Sequence, residues 1–328
     1  MFLMFYAPRE KIEKINMSID LDDLINCLHK EYTFKYSKIV HKIKFEELVN
    51  SIKNGNYEMK KIDDLVDLTF PSRREGPGYV TKDDILSFPV LEGDPTYRRH
   101  FVIPLSIEDR IVIDALSDVL LIKAQKFIDP KVHIYGKTVM SGDIYLGNDI
   151  GPGLRNEFNS WNGVNSVAVF DIHEVLSRVD LNMLFLNLKK SVNADPKVWK
   201  CFLSYFDVAN ELRQSMSEYD AFNEPPFRGL PLIGSLPVVL LSILSSLDSY
   251  VKNFIGDWPY VRLNYELIFP IFGATSIDEE PYLELYDFFK KNAIQVDWVW
   301  LYNHSGIHSL RTGFLHLHME QVFFSEFI

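Results

Sequence analysis

The chain has 328 residues, of which 47% are hydrophobic and 14% aromatic, so it can bury one large core or two smaller ones. Its formal net charge of −11 argues against a surface that attracts nucleic acid over most of its area, although it allows a local basic groove. Cys27 and Cys201 follow no metal-ligand spacing, which predicts a reduced protein of the cytoplasm.

Residues 1–67 predict a helical N-terminal arm. Lysine-rich and acidic stretches alternate there with helical spacing, and Ser18 or Asp20 is in position to cap the first helix. This distribution of charge is typical of a solvated helical face. The apolar opening residues are too few for a membrane span and lack the flanks of a signal peptide.

Residues 68–165 predict loops, short strands and one long helix. Prolines and glycines are frequent before residue 100, and Tyr135 to Gly163 has a loop-like composition. Between these two regions, a strand turns at Pro104 and a helix begins near Ser106. The apolar positions of that helix recur at helical spacing: Ile111, Ala115, Val119 and Ile122.

Residues 166–300 predict a strand ending at Asp171, several helices and a hairpin within 260–269. The apolar run 229–248 is interrupted by prolines, glycines and serines, so a buried helix is favoured over a membrane span. A helix over 280–292 and a strand over 295–302 complete this part of the chain.

Five short strings follow one another in the chain: RRHFVIPLSIEDRIVIDAL, VAVFDIHEVLSRVD, RGLPLIGSLPVVLLSILSSLD, YVRLNYEL and PYLELYDFFKKNAIQVDWVW. Together with the order of the predicted elements, they resemble the fingers and palm of reverse transcriptases, in particular the bacterial group of retron, group II intron and phage-defence enzymes. The resemblance covers about residues 97–300. It implies an α+β fold in which an antiparallel palm sheet packs on helices, with 68–165 as fingers and 166–300 as palm.

The resemblance implies a site for two Mg²⁺ ions held by clustered carboxylates. Asp171 matches the family's strand aspartate, although it could equally cap the helix that follows. Register from Arg262 places Tyr265, a poor magnesium ligand, where the family has its first hairpin aspartate, and Glu266 at the next position. We therefore expect polymerase activity to be lost or strongly reduced, with Asp171 and Glu266 as the catalytic, metal-binding residues of any activity that survives.

The resemblance also suggests a nucleotide pocket. Arg98 and Arg99 are similar to the family's triphosphate-binding arginine, although a surface salt bridge is the alternative. Gly234 belongs to the same pocket, but Leu232 replaces the family's glutamine there. Leu176 occupies the position where a bulky residue often screens the sugar 2′-hydroxyl. Asp109, with Arg110, is expected to hold the fingers helix in place.

Residues 301–328 are a short extension where the family has a helical thumb that grips the primer–template duplex. About thirty residues are too few to build such a domain. Four histidines leave open a different function, a metal-dependent hydrolase, because two pairs have spacings that allow both rings to bind one ion. They are His304, His308, His316 and His318.

The expected function is that of a structural or regulatory subunit of a nucleoprotein complex in prokaryotic antiphage defence. An active reverse transcriptase, another effector or a non-coding RNA is the expected partner; no membrane partner is expected, and self-association is left open. The alternative is an active, divergent polymerase, template-independent in one version, with Mg²⁺ as its cofactor.

Overall fold

The computed structural model combines helices with small β-sheets, which confirms the α+β class in its general form. It describes residues 12, 15–59, 66–71, 97–102, 106–133, 137–140, 143–146, 160–161, 164–171, 180–219, 236–263, 266–272 and 297–303.

The described residues 15–59 of the N-terminal part contain two α-helices joined by a short connection. Its elements are β1 (Met17–Ile19), α1 (Leu21–Glu31), a π-helical turn (Tyr32–Tyr36) and α2 (Lys42–Lys53). Asp20 caps α1: its carboxylate accepts from the Asp23 N–H at 2.8 Å, and the Asp23 carboxylate accepts from the Asp20 N–H at 3.1 Å. Asp20, one of the two predicted caps, is thereby confirmed.

The central part contains a long helix between short strands. Ser106 caps this helix by accepting from the Asp109 N–H at 3.1 Å, as its sequence predicts. The elements are β2 (Val66–Pro71), β3 (Tyr97–Val102), α3 (Ile107–Ala124), a 3₁₀ turn (Gln125–Phe127), β4 (Val132–His133), β5 (Lys137–Met140) and β6 (Asp143–Leu146).

The described residues of the C-terminal half begin with a strand that ends at Asp171, as predicted, and continue through four helices to two paired strands, β9 and β10, and a further strand, β11. Its elements are β7 (Val164–Asp171), α4 (Leu181–Ser191), β8 (Val192–Ala194), α5 (Pro196–Tyr219), α6 (Leu236–Leu244), α7 (Leu247–Ile255), β9 (Val261–Leu263), β10 (Glu266–Phe272) and β11 (Asp297–Asn303). The predicted helix over 280–292 lies outside the described residues.

Helix α3 is the centre of the hydrophobic core. Its side chains are apolar around most of its circumference, so it is buried by α1, α5 and α6 rather than facing solvent on one side. The N-terminal helices and the C-terminal helices share this one core. Helix α6 is buried along its whole length, as expected for the apolar run, and no described helix is long and apolar enough to cross a bilayer.

Buried carboxylates on α3 bind partners from the N-terminal part. The Tyr57 hydroxyl donates to Asp109 at 2.8 Å, and the Ser106 hydroxyl donates to the same carboxylate at 2.7 Å. Tyr36 donates to Asp114 at 3.0 Å. Because a buried carboxylate is costly unless it is hydrogen-bonded, these contacts fix the N-terminal part onto α3. The structural role expected for Asp109 agrees with this geometry.

Four of the five strands in the largest described sheet are antiparallel. The order is β11–β7–β10–β9–β4, with β4 parallel to β9. The antiparallel strands are thus arranged in the order β11, β7, β10 and β9, which are the fourth, first, third and second of these four strands along the chain. This order brings the end of β7 beside the start of β10, which is where the hairpin turns.

Removal of the Tyr57 hydroxyl should destabilise the protein. Tyr57→Phe takes a donor from the buried Asp109 carboxylate, and we expect a loss of about 1–3 kcal/mol in the free energy of unfolding, measured in urea. Tyr205→Phe is the matched control, because the buried Tyr205 hydroxyl has no hydrogen-bond partner in the described part of the chain. Equal losses in the two variants would contradict this role for Tyr57.

The Cys201 thiol should stay protonated and unreactive in the folded protein. Burial raises its pKa from 9.0 to about 12. The unfolded chain therefore releases this proton first as pH rises, so the thiol contributes stability that is lost between about pH 9 and 12. Iodoacetamide at pH 8 should label Cys201 only after unfolding. Rapid labelling of the native protein at this cysteine, located by peptide mass spectrometry, would contradict the burial.

Candidate functional site

Three acidic residues occupy neighbouring register positions at one end of the large sheet. Asp171 is the last residue of β7, and its Cα partner on β10 is Glu266. On the opposite side of β7, its Cα partner is Asp297, the first residue of β11. Directly opposed positions in antiparallel strands share a sheet face, with Cβ atoms about 4.5–5.5 Å apart. The backbone thus places these positions in one row across three strands.

The two residues proposed as metal ligands from the sequence are paired in this row. Asp171 and Glu266 are 95 positions apart in the chain, and the β7–β10 register makes them direct neighbours. The sequence alone does not identify Asp297 as a candidate site residue, because an acidic residue near the start of an apolar strand is common and indicates no particular function. Tyr265 lies outside the described residues, so its place at the hairpin remains a sequence-based expectation.

A buried ion pair connects the hairpin to the helices. Arg262 on β9 has no exposed surface; its Nε donates to Asp248 Oδ1 at 2.6 Å, and its Nη2 donates to Asp248 Oδ2 at 2.9 Å. The same Nη2 donates to the Ser242 hydroxyl at 2.7 Å. Asp248 belongs to α7 and Ser242 to α6, so one guanidinium links both helices to β9. Its planar fork matches the carboxylate with two hydrogen bonds.

The backbone of Arg262 makes a further connection. Its N–H donates to the Lys131 carbonyl at 2.8 Å, just before β4, and β4 pairs with β9 in parallel. The Ser242 hydroxyl in turn donates to the Val238 carbonyl at 2.7 Å, so it is oriented to accept from Arg262. Strand β9, which enters the hairpin, is therefore fixed in position by both the backbone N–H and the side chain of Arg262.

Apolar residues share the sheet face of the Arg262 side chain. Leu267, the Cα partner of Arg262, has no exposed surface, and the Tyr260 ring stacks on Phe269 with centroids 6.1 Å apart. Burial, and then the nearby Asp129 and Asp248 carboxylates, raise the pKa of Tyr260 well above its ordinary value, so this phenol remains neutral. Low polarity around the guanidinium strengthens its attraction to the carboxylate and makes loss of either partner costly.

The predicted nucleotide-binding arginines lie in another sheet. Arg98 and Arg99 belong to β3 and pair with Phe70 and Thr69 of β2, in a two-stranded antiparallel sheet that is separate from the large sheet among the described strands. The described register relations do not bring them next to Asp171. The remaining predicted positions, Gly234 and Leu176 together with the four C-terminal histidines, lie outside the described residues.

The described part of the chain contains no group of three metal-ligating side chains close enough to share an ion. The row of Asp171, Glu266 and Asp297 is defined here by backbone register alone.

Comparison with protein-family models and with curated proteins gives no match to this chain.

Truncation of Arg262 should be strongly destabilising. Arg262→Met leaves the Asp248 carboxylate buried without its counterion, and we expect a loss of about 3–5 kcal/mol in the free energy of unfolding in urea. Arg262→Met combined with Asp248→Leu should lose clearly less than the sum of the two single variants, because no unpaired charge is left.

The half-exposed pair of Lys123 and Asp23, 2.7 Å apart, is the matched control, and Lys123→Met should cost at most about 1 kcal/mol. Additive losses at positions 262 and 248 would show that the two side chains do not depend on each other.

Proposed function

We propose that this chain is a reverse-transcriptase-like protein with lost or strongly reduced polymerase activity, acting as a structural or regulatory subunit of a nucleoprotein complex. The observation that carries the proposal is the pairing of Asp171 with Glu266 beside a hairpin held by Arg262 and Asp248. All four residues come from the strings that resemble the family. The antiphage setting rests on the bacterial group that those strings resemble.

The strand order supports a palm-like sheet with fingers-like elements before it. The strand that ends in an aspartate, β7, lies between β10 of the hairpin and the later strand β11, and β9 lies beyond β10. All four strands are antiparallel to their neighbours within this group. This arrangement is the one in which a carboxylate from the first strand meets the hairpin. The ion pair between Arg262 and Asp248 gives a structural reason for the arginine in the hairpin string and for the aspartate that ends the preceding string.

Loss of catalysis follows from the chemistry of the hairpin positions. Two-metal nucleotidyl transfer needs clustered oxygen ligands that hold both ions a few ångströms apart. Tyr265 supplies a neutral phenol where the family has its first hairpin aspartate. Of the two family positions at the hairpin, only Glu266 keeps a carboxylate, on a longer side chain. The net charge of −11 further suggests that a partner supplies much of the contact with nucleic acid.

A second candidate function, an active divergent polymerase, is favoured by one observation. The register pairs Asp171 with Glu266 on one side of β7 and with Asp297 on the other, so three acidic positions lie in one row across the sheet. In this alternative Asp171 and Glu266 hold Mg²⁺, which activates the attacking hydroxyl and stabilises the leaving pyrophosphate.

Primer-extension assays decide between the two candidates. Purified full-length protein, supplied with primer–template, nucleotides and Mg²⁺ or Mn²⁺, should incorporate no more nucleotide than Asp171→Ala does. Omission of the template tests the template-independent version in the same way. Extension by the wild-type chain that disappears in Asp171→Ala and in Glu266→Gln would overturn the proposal and establish the active alternative.

Restoring the missing carboxylate should restore metal binding. Tyr265→Asp adds an acidic ligand beside Glu266, and we expect Mn²⁺ affinity, measured by titration with electron paramagnetic resonance detection, to rise about tenfold or more. Tyr265→Phe is the matched control and should leave the affinity unchanged. Equal Mn²⁺ affinity in all three proteins would remove Tyr265 as the cause of the lost activity.

A further inference from the structure

The connection between α1 and α2, taken together with the first three residues of α2 (residues 33–44), exposes large apolar side chains to solvent. Phe34 is 69% exposed, Ile39 65% and Ile43 63%. These are three of the five exposed large hydrophobic residues in the described part of the chain, and they fall within ten consecutive positions. Single exposed hydrophobic residues need no explanation, but a concentration of this kind marks an interaction surface. We call residues 33–44 the basic connection.

The backbone holds this surface in a defined shape. The Tyr32 carbonyl accepts from the Ser37 N–H at 2.7 Å, and the Tyr36 carbonyl accepts from the Ile39 and Val40 N–H groups at 2.9 and 2.8 Å. Tyr36 and Val40 are buried, and the Tyr36 hydroxyl donates to the buried Asp114 at 3.0 Å. Phe34 and Ile39 therefore project from a connection that is fixed to the core, and Ile43 projects from the first turn of α2.

The same residues carry a local positive charge. Lys35, Lys38, Lys42 and Lys44 lie in this connection, and no aspartate or glutamate occurs between positions 32 and 45. Lys35 is engaged with Glu31 at 3.1 Å and with Asp114 at 3.2 Å, whereas the other three lysines are exposed. In a chain of net charge −11, this is a concentrated basic patch combined with an apolar one.

An anionic lipid surface fits this combination better than the other polyanionic or apolar partners. Protein interfaces are depleted of lysine. Single-stranded nucleic acid is bound by stacking on aromatic rings, which Ile39 and Ile43 cannot provide. A lipid surface takes both kinds of side chain: lysines contact the anionic headgroups, and apolar residues enter the boundary with the acyl chains.

We propose that the basic connection docks on the surface of an anionic membrane. Phe34, Ile39 and Ile43 enter the acyl boundary, while Lys38, Lys42 and Lys44 contact the headgroups. This contact involves one leaflet and needs no membrane-spanning helix. It goes beyond the proposed function and does not depend on it.

Vesicle flotation with the full-length chain tests the docking. The protein should float with vesicles of phosphatidylcholine and phosphatidylserine and remain unbound with phosphatidylcholine alone. Each lysine near an anionic surface contributes about fivefold to the partition coefficient, so changing Lys38, Lys42 and Lys44 together to Glu should lower it about 100-fold or more. Phe34→Ser and Ile39→Ser should each lower it about tenfold.

Matched controls lie on α4 and α5. Leu186→Ser and Leu203→Ser remove exposed apolar residues elsewhere, and Lys190→Glu removes an exposed charge; all three should float like the wild type. Circular dichroism of every variant should match the wild type, because the changed residues are exposed. Failure to float with either vesicle, or flotation that the basic-connection variants do not reduce, would overturn the proposal. So would loss of single-stranded RNA binding or of self-association in these variants without loss of flotation.

Discussion

The buried pair of Arg262 and Asp248 is the interaction on which the position of the hairpin depends. A guanidinium with no exposed surface contributes little net stability when compared with apolar residues of the same size, because both charges lose their hydration. Its effect is to define a register: two hydrogen bonds to Asp248 and one to Ser242 allow a single placement of β9 against α6 and α7. Because β10 pairs with β9 and β7 pairs with β10, that placement also positions Asp171 beside Glu266. The geometry of the candidate site thus depends on an ion pair that does no chemistry.

Local signals made several elements predictable from the sequence. Asp20 and Ser106 cap helices because a short side chain can reach the free N–H groups of the next turn, and this requires only neighbouring residues. The strand ending at Asp171 and the hairpin around Glu266 have the apolar patterns of sheet strands, and the structure contains both. What the sequence pattern could not reveal are contacts between distant residues. Asp297 becomes relevant only through its register with Asp171, and the tyrosine partners of the buried carboxylates on α3 come from more than fifty residues away.

Charged side chains have different environments in the core and on the surface of this protein. In the core, Asp109, Asp114 and Asp248 each accept hydrogen bonds from specific donors, so their burial fixes helices and strands relative to one another. In the basic connection, Lys38, Lys42 and Lys44 remain exposed beside exposed apolar residues, an arrangement suited to binding.

Diffraction from crystals grown with Mn²⁺, with data collected at the manganese absorption edge, tests the central claim most directly. A silenced palm predicts no anomalous peak between the carboxylates of Asp171 and Glu266, with the ring of Tyr265 packed at the hairpin turn. An ion bound there by acidic oxygens would show that this protein has kept the machinery of a polymerase.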